Sequence, residues 1–158
     1  MGFKFNKRFL DAVVSFIGLS AIVIVVSSYF SSYSLLIIPA FFILGLISLM
    51  FMKLYSVKVT SVYPDIIFGA IDNSVLVFAA ILGGHFAGIS GAIIGGAAGN
   101  TITDGVGGLF EGYIAENQKK FKIENERSSI SSSLGKMSGC LFGASIGLLI
   151  VELIKLVI

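Results

Sequence analysis

Two short blocks of this chain carry side chains able to hold a charged ligand: Asp72-Asn73, and Asn100-Thr101 followed by Asp104. Thr103 stands beside Asp104, and Glu111 lies two helical turns further along the same face. Every one of these residues offers oxygen, and neither His nor Cys is among them. That donor set suits hard cations such as Na⁺, Ca²⁺ or Mg²⁺ over zinc or copper. Ca²⁺ takes roughly six to eight oxygens, so waters or a second copy of the chain would be needed to complete its shell. Both blocks sit in apolar stretches long enough to cross a bilayer. A carboxylate there costs about 2.5–3.5 kcal/mol on insertion scales, so an ionisable residue in such a place marks a functional site with a partner to be found.

The composition sets the class of element that must position these residues. Of 158 residues, 56% are hydrophobic and 13% charged, Trp is absent, and the mean hydropathy is +0.98. Those values lie far outside the soluble range, and the chain reads as an all-α integral membrane protein. A spanning helix needs about 20 mostly apolar residues. The segments 9–30, 34–52, 65–84 and 134–158 meet that need, and the glycine-rich segment 85–112 is a weaker fifth.

Loop charge supports the same count, because Lys and Arg accumulate on the cytoplasmic side. Lys4, Lys7 and Arg8 precede the first stretch; Lys53 and Lys58 separate the second from the third; Lys119, Lys120, Lys122, Arg127 and Lys136 separate the fourth from the fifth. Ten of the eleven basic residues thus fall on one side, with Lys155 the exception. The expectation is five transmembrane helices, the N-terminus cytoplasmic and the C-terminus outside. The net charge of +2 is then a matter of topology and implies no nucleic-acid partner, although the basic loop can touch anionic lipid. Residues 1–8 are too short for a transit peptide, and the first apolar run lacks a small-residue cleavage site, so it is expected to stay as an anchor. Cys140 is the single cysteine, which excludes an intrachain disulfide.

On this topology Pro64 and Asp65 open the third helix at the inner interface, and Asp72 follows about 12 Å deeper at the helical rise. Asp104 lies as far from the inner end of the fourth helix near Gly112, which sets the two carboxylates at one depth on antiparallel neighbours. With no Lys or Arg expected nearby, two carboxylates at equal depth call for a cation. The alternative is an interhelical hydrogen-bond network that fixes the fold, with one carboxylate protonated.

The chain divides by texture into residues 1–63, an oily two-helix hairpin read as lipid-facing scaffold with a kink at Pro39, and residues 64–158, a three-helix core. Gly135, Gly139, Gly143 and Gly147 form one stripe and Gly91, Gly95 and Gly99 another, which predicts close packing in an internal helix pair, a homodimer, or both. The run Gly105-Val106-Gly107-Gly108 suggests a broken fourth helix whose freed carbonyls could bind ions. Residues 113–133 read as a cytoplasmic helical extension ending in a flexible serine-rich linker. Among lesser polar positions, Glu152 and Lys155 are spaced to pair, Asp11 answers Lys7 or Arg8, His85 belongs to the outer turn, and Lys136 snorkels to the inner surface.

The blocks Phe68-Gly69-x-x-Asp72-Asn73, Gly99-Asn100-x-x-x-Asp104-x-x-Gly107, Gly112-Tyr113 and Leu134-Gly135-Lys136 resemble the core of the transmembrane protein 65 family over residues 64–158. Members of that family are three-span proteins of the mitochondrial inner membrane linked to sodium-dependent calcium efflux. The resemblance implies a cation exchanger whose site includes Asp72, Asn73, Asn100 and Asp104. Thr103 replaces the serine expected before the aspartate, the first two helices are additional to the core, and the short N-terminus points to a microbial plasma-membrane relative.

The functional expectation is a small dimeric cation transporter, a sodium-coupled divalent cation (calcium) exchanger with antiport by alternating access. Asp72 and Asp104 would be the principal metal ligands, Asn73, Asn100 and Thr101 neutral ones, and Glu111 a gate at the inner mouth. No cofactor is expected beyond the transported Ca²⁺, Na⁺ or Mg²⁺, and the partners are the lipid bilayer, these small cations and a second copy. The competing expectation is a non-transporting membrane assembly or regulatory subunit whose polar cluster is structural. No nucleophile–base pair is visible, so an enzyme is not expected.

Overall fold

The computed structural model describes residues 7–30, 34–56, 58–117 and 128–157, with the side chains of 8, 34, 60, 61, 110–117 and 157 outside that description. The described chain is almost wholly helical, in four elements: α1 (Lys7–Phe30), α2 (Ser34–Leu54), α3 (Val59–Asn117) and α4 (Ser129–Val157). Each contains a stretch long and apolar enough to cross a membrane. The apolar part of α3 is 48 residues long, Val62–Leu109. Straight, it would extend about 72 Å, more than twice the roughly 30 Å of a bilayer's hydrocarbon core.

It is not straight. Ala87 (φ −140°, ψ 25°) and Gly88 (φ 60°, ψ −142°) leave the helical region and fold α3 back on itself. Gly88 combines a positive φ with a ψ that essentially only glycine tolerates. The two arms, 59–86 and 89–117, then run antiparallel. Gly91 abuts Gly83, Gly95 abuts Ala79, Gly99 lies against Val75, Leu76 and Ala79, and Gly107 lies beneath the ring of Phe68. The reversal falls just past the expected turn at His85, because Gly83 is needed in the neck, where its backbone meets that of Gly91.

α4 closes on the opposite side of the first arm and runs parallel to it. Gly135 meets Val62 and Asp65, Gly139 meets Ile66, Gly143 meets Ala70, and Gly147 meets Ser74 and Val77. The first arm is therefore clasped between two glycine stripes. α2 packs antiparallel on α4: Ser48, fully buried, donates to the Leu134 carbonyl at 3.3 Å, Ser145 donates to that of Ile38 at 2.9 Å, and the ring of Phe142 covers Gly45. These contacts cross the expected boundary at residue 63, so one face of α2 is interior and not lipid-facing scaffold. α1 is the most peripheral element, tied to the end of α2 through Ser15 Oγ and Tyr55 OH at 2.8 Å.

Three local expectations are corrected. α3 begins at Val59, not at Pro64: the proline removes a single helical bond, and Val62 is completely buried against Gly135. Asp65, only 3% exposed, consequently lies in the second turn beside α4 and not at the helix entrance. The run Gly105–Gly108 stays helical, with the break at Ala87–Gly88 instead. The serine run is the start of α4 and no linker: Ser128 N–H donates to Ser131 Oγ at 2.7 Å and Ser131 N–H to Ser128 Oγ at 3.2 Å, a reciprocal cap that satisfies otherwise orphaned donors. α2 runs through Pro39 without interruption.

Close backbone approach predicts an asymmetric glycine response. A Cβ at Gly143 would collide with the Ala70 carbonyl, whereas one at Gly105 meets nothing within 4 Å. Gly143→Val should lose about 1–3 kcal/mol of stability, and Gly105→Ala should stay within about 1 kcal/mol of the parent or gain slightly. Thermal unfolding in detergent compares the two.

Candidate functional site

Asp72 and Asp104 each stand thirteen residues from an end of α3, Asp72 from Val59 and Asp104 from Asn117. Because the arms are antiparallel, this puts the two carboxylates at the same level of the hairpin. The faces differ. Along the second arm, Gly91, Gly95, Gly99, Thr103 and Gly107 recur every four residues and meet the first arm. Thr103, not Asp104, takes the position opposite Asp72.

Thr103 Oγ1 donates to Asp72 Oδ1 across the hairpin. The hydroxyl also lies 3.1 Å from the carbonyls of Gly99 and Asn100. It has one proton for three acceptors. Those carbonyls already receive helical N–H groups, so the carboxylate is the acceptor that depends on Thr103. Thr103 is buried at 6% exposure and Asp72 is half-buried, which makes the pair an interior contact.

Asp104 turns about 100° away from Thr103 on the same helix, and is exposed. Asn100 Nδ2 donates to its Oδ2 at 2.8 Å, one turn back along the same arm. Thr101, also exposed, donates to the Ala97 carbonyl at 2.8 Å. Asn73 points the other way, to α4, where Nδ2 donates to the Cys140 carbonyl at 2.8 Å. Five of the six predicted ligands are thus divided among an interior pair partner (Asp72), an outward cluster (Asn100, Thr101, Asp104) and an α4 contact (Asn73). The side chain of Glu111 lies outside the described residues. Among the described residues no three His, Cys, Asp or Glu side chains converge as a ready metal cluster.

The quoted sequence blocks acquire a geometric meaning here. Phe68 and Asp72 face the second arm, through Gly107 and Thr103, while Gly69 and Asn73 face α4, through the backbones of Lys136 and Cys140. Each adjacent pair divides between the two neighbours. A cation does approach this region: the Lys136 ammonium stands 5.8 Å from the centroid of Phe68, about one turn from Asp72. The expectation that no Lys or Arg comes near therefore fails for the Asp72 side of the hairpin, because α4 brings Lys136 alongside Gly69.

Ser74 was not singled out from the sequence, yet its hydroxyl lies 2.6 Å from the Ala70 carbonyl and 2.9 Å from that of Gly143. With Asn73 it forms the polar seam between the first arm and α4. A hydroxyl beside an amide in an apolar helix was the available signal. Beyond the seam, a cavity of about 290 Å³ is lined by Ser20, Phe41, Asn73, Cys140 and neighbours from α1, α2 and α4. A second cavity, about 430 Å³ and mostly apolar, lies near the reversal between Phe78, Leu82, His85, Val151 and Lys155. Lys155 pairs with Glu152 at 2.8 Å, as their spacing predicted. Asp11 is half-buried, and the side chain of Arg8 lies outside the described residues.

No family model matches the chain, and neither the curated proteins nor the solved structures provide a match.

Replacing Thr103 by Val keeps the shape and leaves the Asp72 carboxylate without its donor. The expected cost is about 1–3 kcal/mol, while Thr103→Ser should retain most of the stability. Detergent melting of the two variants against the parent measures the difference.

Proposed function

We propose that the protein is a membrane cation transporter, a sodium-coupled exchanger of a divalent cation such as Ca²⁺, acting as an antiporter. It spans the bilayer five times, the two arms of α3 counting as separate spans, with the N-terminus cytoplasmic and the C-terminus outside. One observation carries this reading: Asp72 and Asp104 lie at one level of a helical hairpin, and among the described residues each is held by a neutral donor and neither forms an ion pair. Carboxylates at membrane depth held this way can exchange a neutral donor for a cation without breaking a salt bridge. Asp72 is the interior ligand and Asp104 the outward one; Asn100 and Thr101 supply neutral oxygen beside Asp104, and Glu111 gates the inner mouth. The resemblance to the transmembrane protein 65 family supports the same class of cargo.

A second reading has its own observation. Asn73, Ser74 and Thr103 direct their hydrogen bonds across helix contacts, which is what a polar cluster acting as structural glue would do. A non-transporting assembly or regulatory subunit would need nothing more.

Proteoliposomes separate the two. With Na⁺ inside and Ca²⁺ or Mg²⁺ outside, the wild type should carry a Na⁺-dependent divalent flux that Asp72→Asn and Asp104→Asn reduce to background while melting near the parent temperature. Absence of any ion-dependent flux from folded wild-type protein would sink the transporter reading.

A further inference from the structure

The outer face of the second arm is the one polar surface that the described fold leaves unexplained. It lies opposite the stripe that meets the first arm and carries Ala97, Asn100, Thr101, Asp104 and Gly108. Apart from half-buried Asn100, all of these are exposed. Asn100 has two amide protons and gives one to Asp104. Its second proton and the other Asp104 oxygen find no partner among the described residues. Facing hydrocarbon, such groups would each cost several kcal/mol.

The glycines supply a separate observation. Those of α4 and of the hairpin neck are explained by close contacts within the chain, whereas a Cβ at Gly105 or Gly108, like one at Gly18 of α1, would meet nothing within 4 Å. Glycine inside a helix is about 1 kcal/mol less favourable than alanine, and no packing among the described residues requires it there. Small residues at the same level as an unmet donor and an unmet acceptor are what close approach of another helix needs. Because donor and acceptor lie one turn apart on a single patch, the patch is self-complementary under a two-fold axis.

We infer that the second arm is a dimer interface, in which the outer face around Asp104 docks on the same face of a second copy and Asn100 of each protomer donates to Asp104 of the other. The two Asp104 carboxylates then approach the axis, where a proton or cation must offset their repulsion. The dimer does not rest on the transport reading. If the chain does carry cations, the outward half of its site is completed by the partner.

Single-cysteine variants in a Cys140→Ala background test this in native membranes under mild oxidation. Ala97→Cys, Thr101→Cys and Gly108→Cys should give reducible dimers in high yield, with Ile102→Cys, on the flank of the same arm, and Val14→Cys, on exposed α1, near background. Cross-linking that is equal or stronger at Ile102 or Val14, or cross-links to a protein of different mass, would overturn the proposal. Single-molecule photobleaching of labelled wild-type chain in liposomes covers variants that do not fold: two-step traces support the dimer, and single-step traces alone overturn it. Asn100→Leu should weaken dimerisation roughly tenfold on lipid dilution, the size expected for two lost interhelical hydrogen bonds. None of these measurements reads ion flux, so their failure and failure of the transport reading are distinguishable.

Discussion

Everything else in this fold depends on the close approach of backbones on both sides of the first arm of α3. Gly83, Gly91, Gly95 and Gly99 bring the second arm in on one side, and Gly135, Gly139, Gly143 and Gly147 bring α4 in on the other. In lipid there is no hydrophobic drive between helices, so association rests on packing and hydrogen bonds at such short range. Side chains of ordinary size at these positions would push the helices apart and leave the polar groups between them without partners.

That clasp decides what each polar residue can do. Successive residues on a helix are about 100° apart, so in the first arm Asp72 reaches the second arm while Asn73 reaches α4. The same rotation in the second arm turns Thr103 inward and Asp104 outward. Two carboxylates at one level therefore acquire different surroundings, one inside the hairpin and one on its outer surface. An interior acid near the Phe68–Lys136 contact and an outward acid beside Asn100 are chemically distinct positions.

Much of this was legible in the residues. The glycine periods are local patterns that show which helix faces must come close, and the equal depth of Asp72 and Asp104 follows from counting. The Glu152–Lys155 pair was readable because both members sit on one helix. What the sequence concealed depends on rotation and partner. Whether Thr103 or Asp104 faces Asp72 is a difference of a single position, and only the packing of Gly99 and Gly107 settles it. The serine run looked like a linker because serine suits both loops and caps, and the reciprocal Ser128–Ser131 bonds make it a helix start. Lys136 was remote from Asp72 in sequence, and only the parallel docking of α4 brings it alongside Gly69. The reversal at Gly88 was hard to place among so many glycines, since several could turn the chain and Gly88 is the one glycine that takes a positive φ among the described residues.

The central claim is that the carboxylates at the middle of this hairpin bind a cation. It is tested most directly by the melting temperature of the purified protein in neutral detergent, with Na⁺, Ca²⁺ and Mg²⁺ titrated separately at constant ionic strength. At least one of these ions should raise the melting temperature saturably, and Asp72→Asn should remove the rise without lowering the ion-free value greatly. A melting temperature indifferent to all three ions, or a rise that survives in both Asp72→Asn and Asp104→Asn, would contradict it.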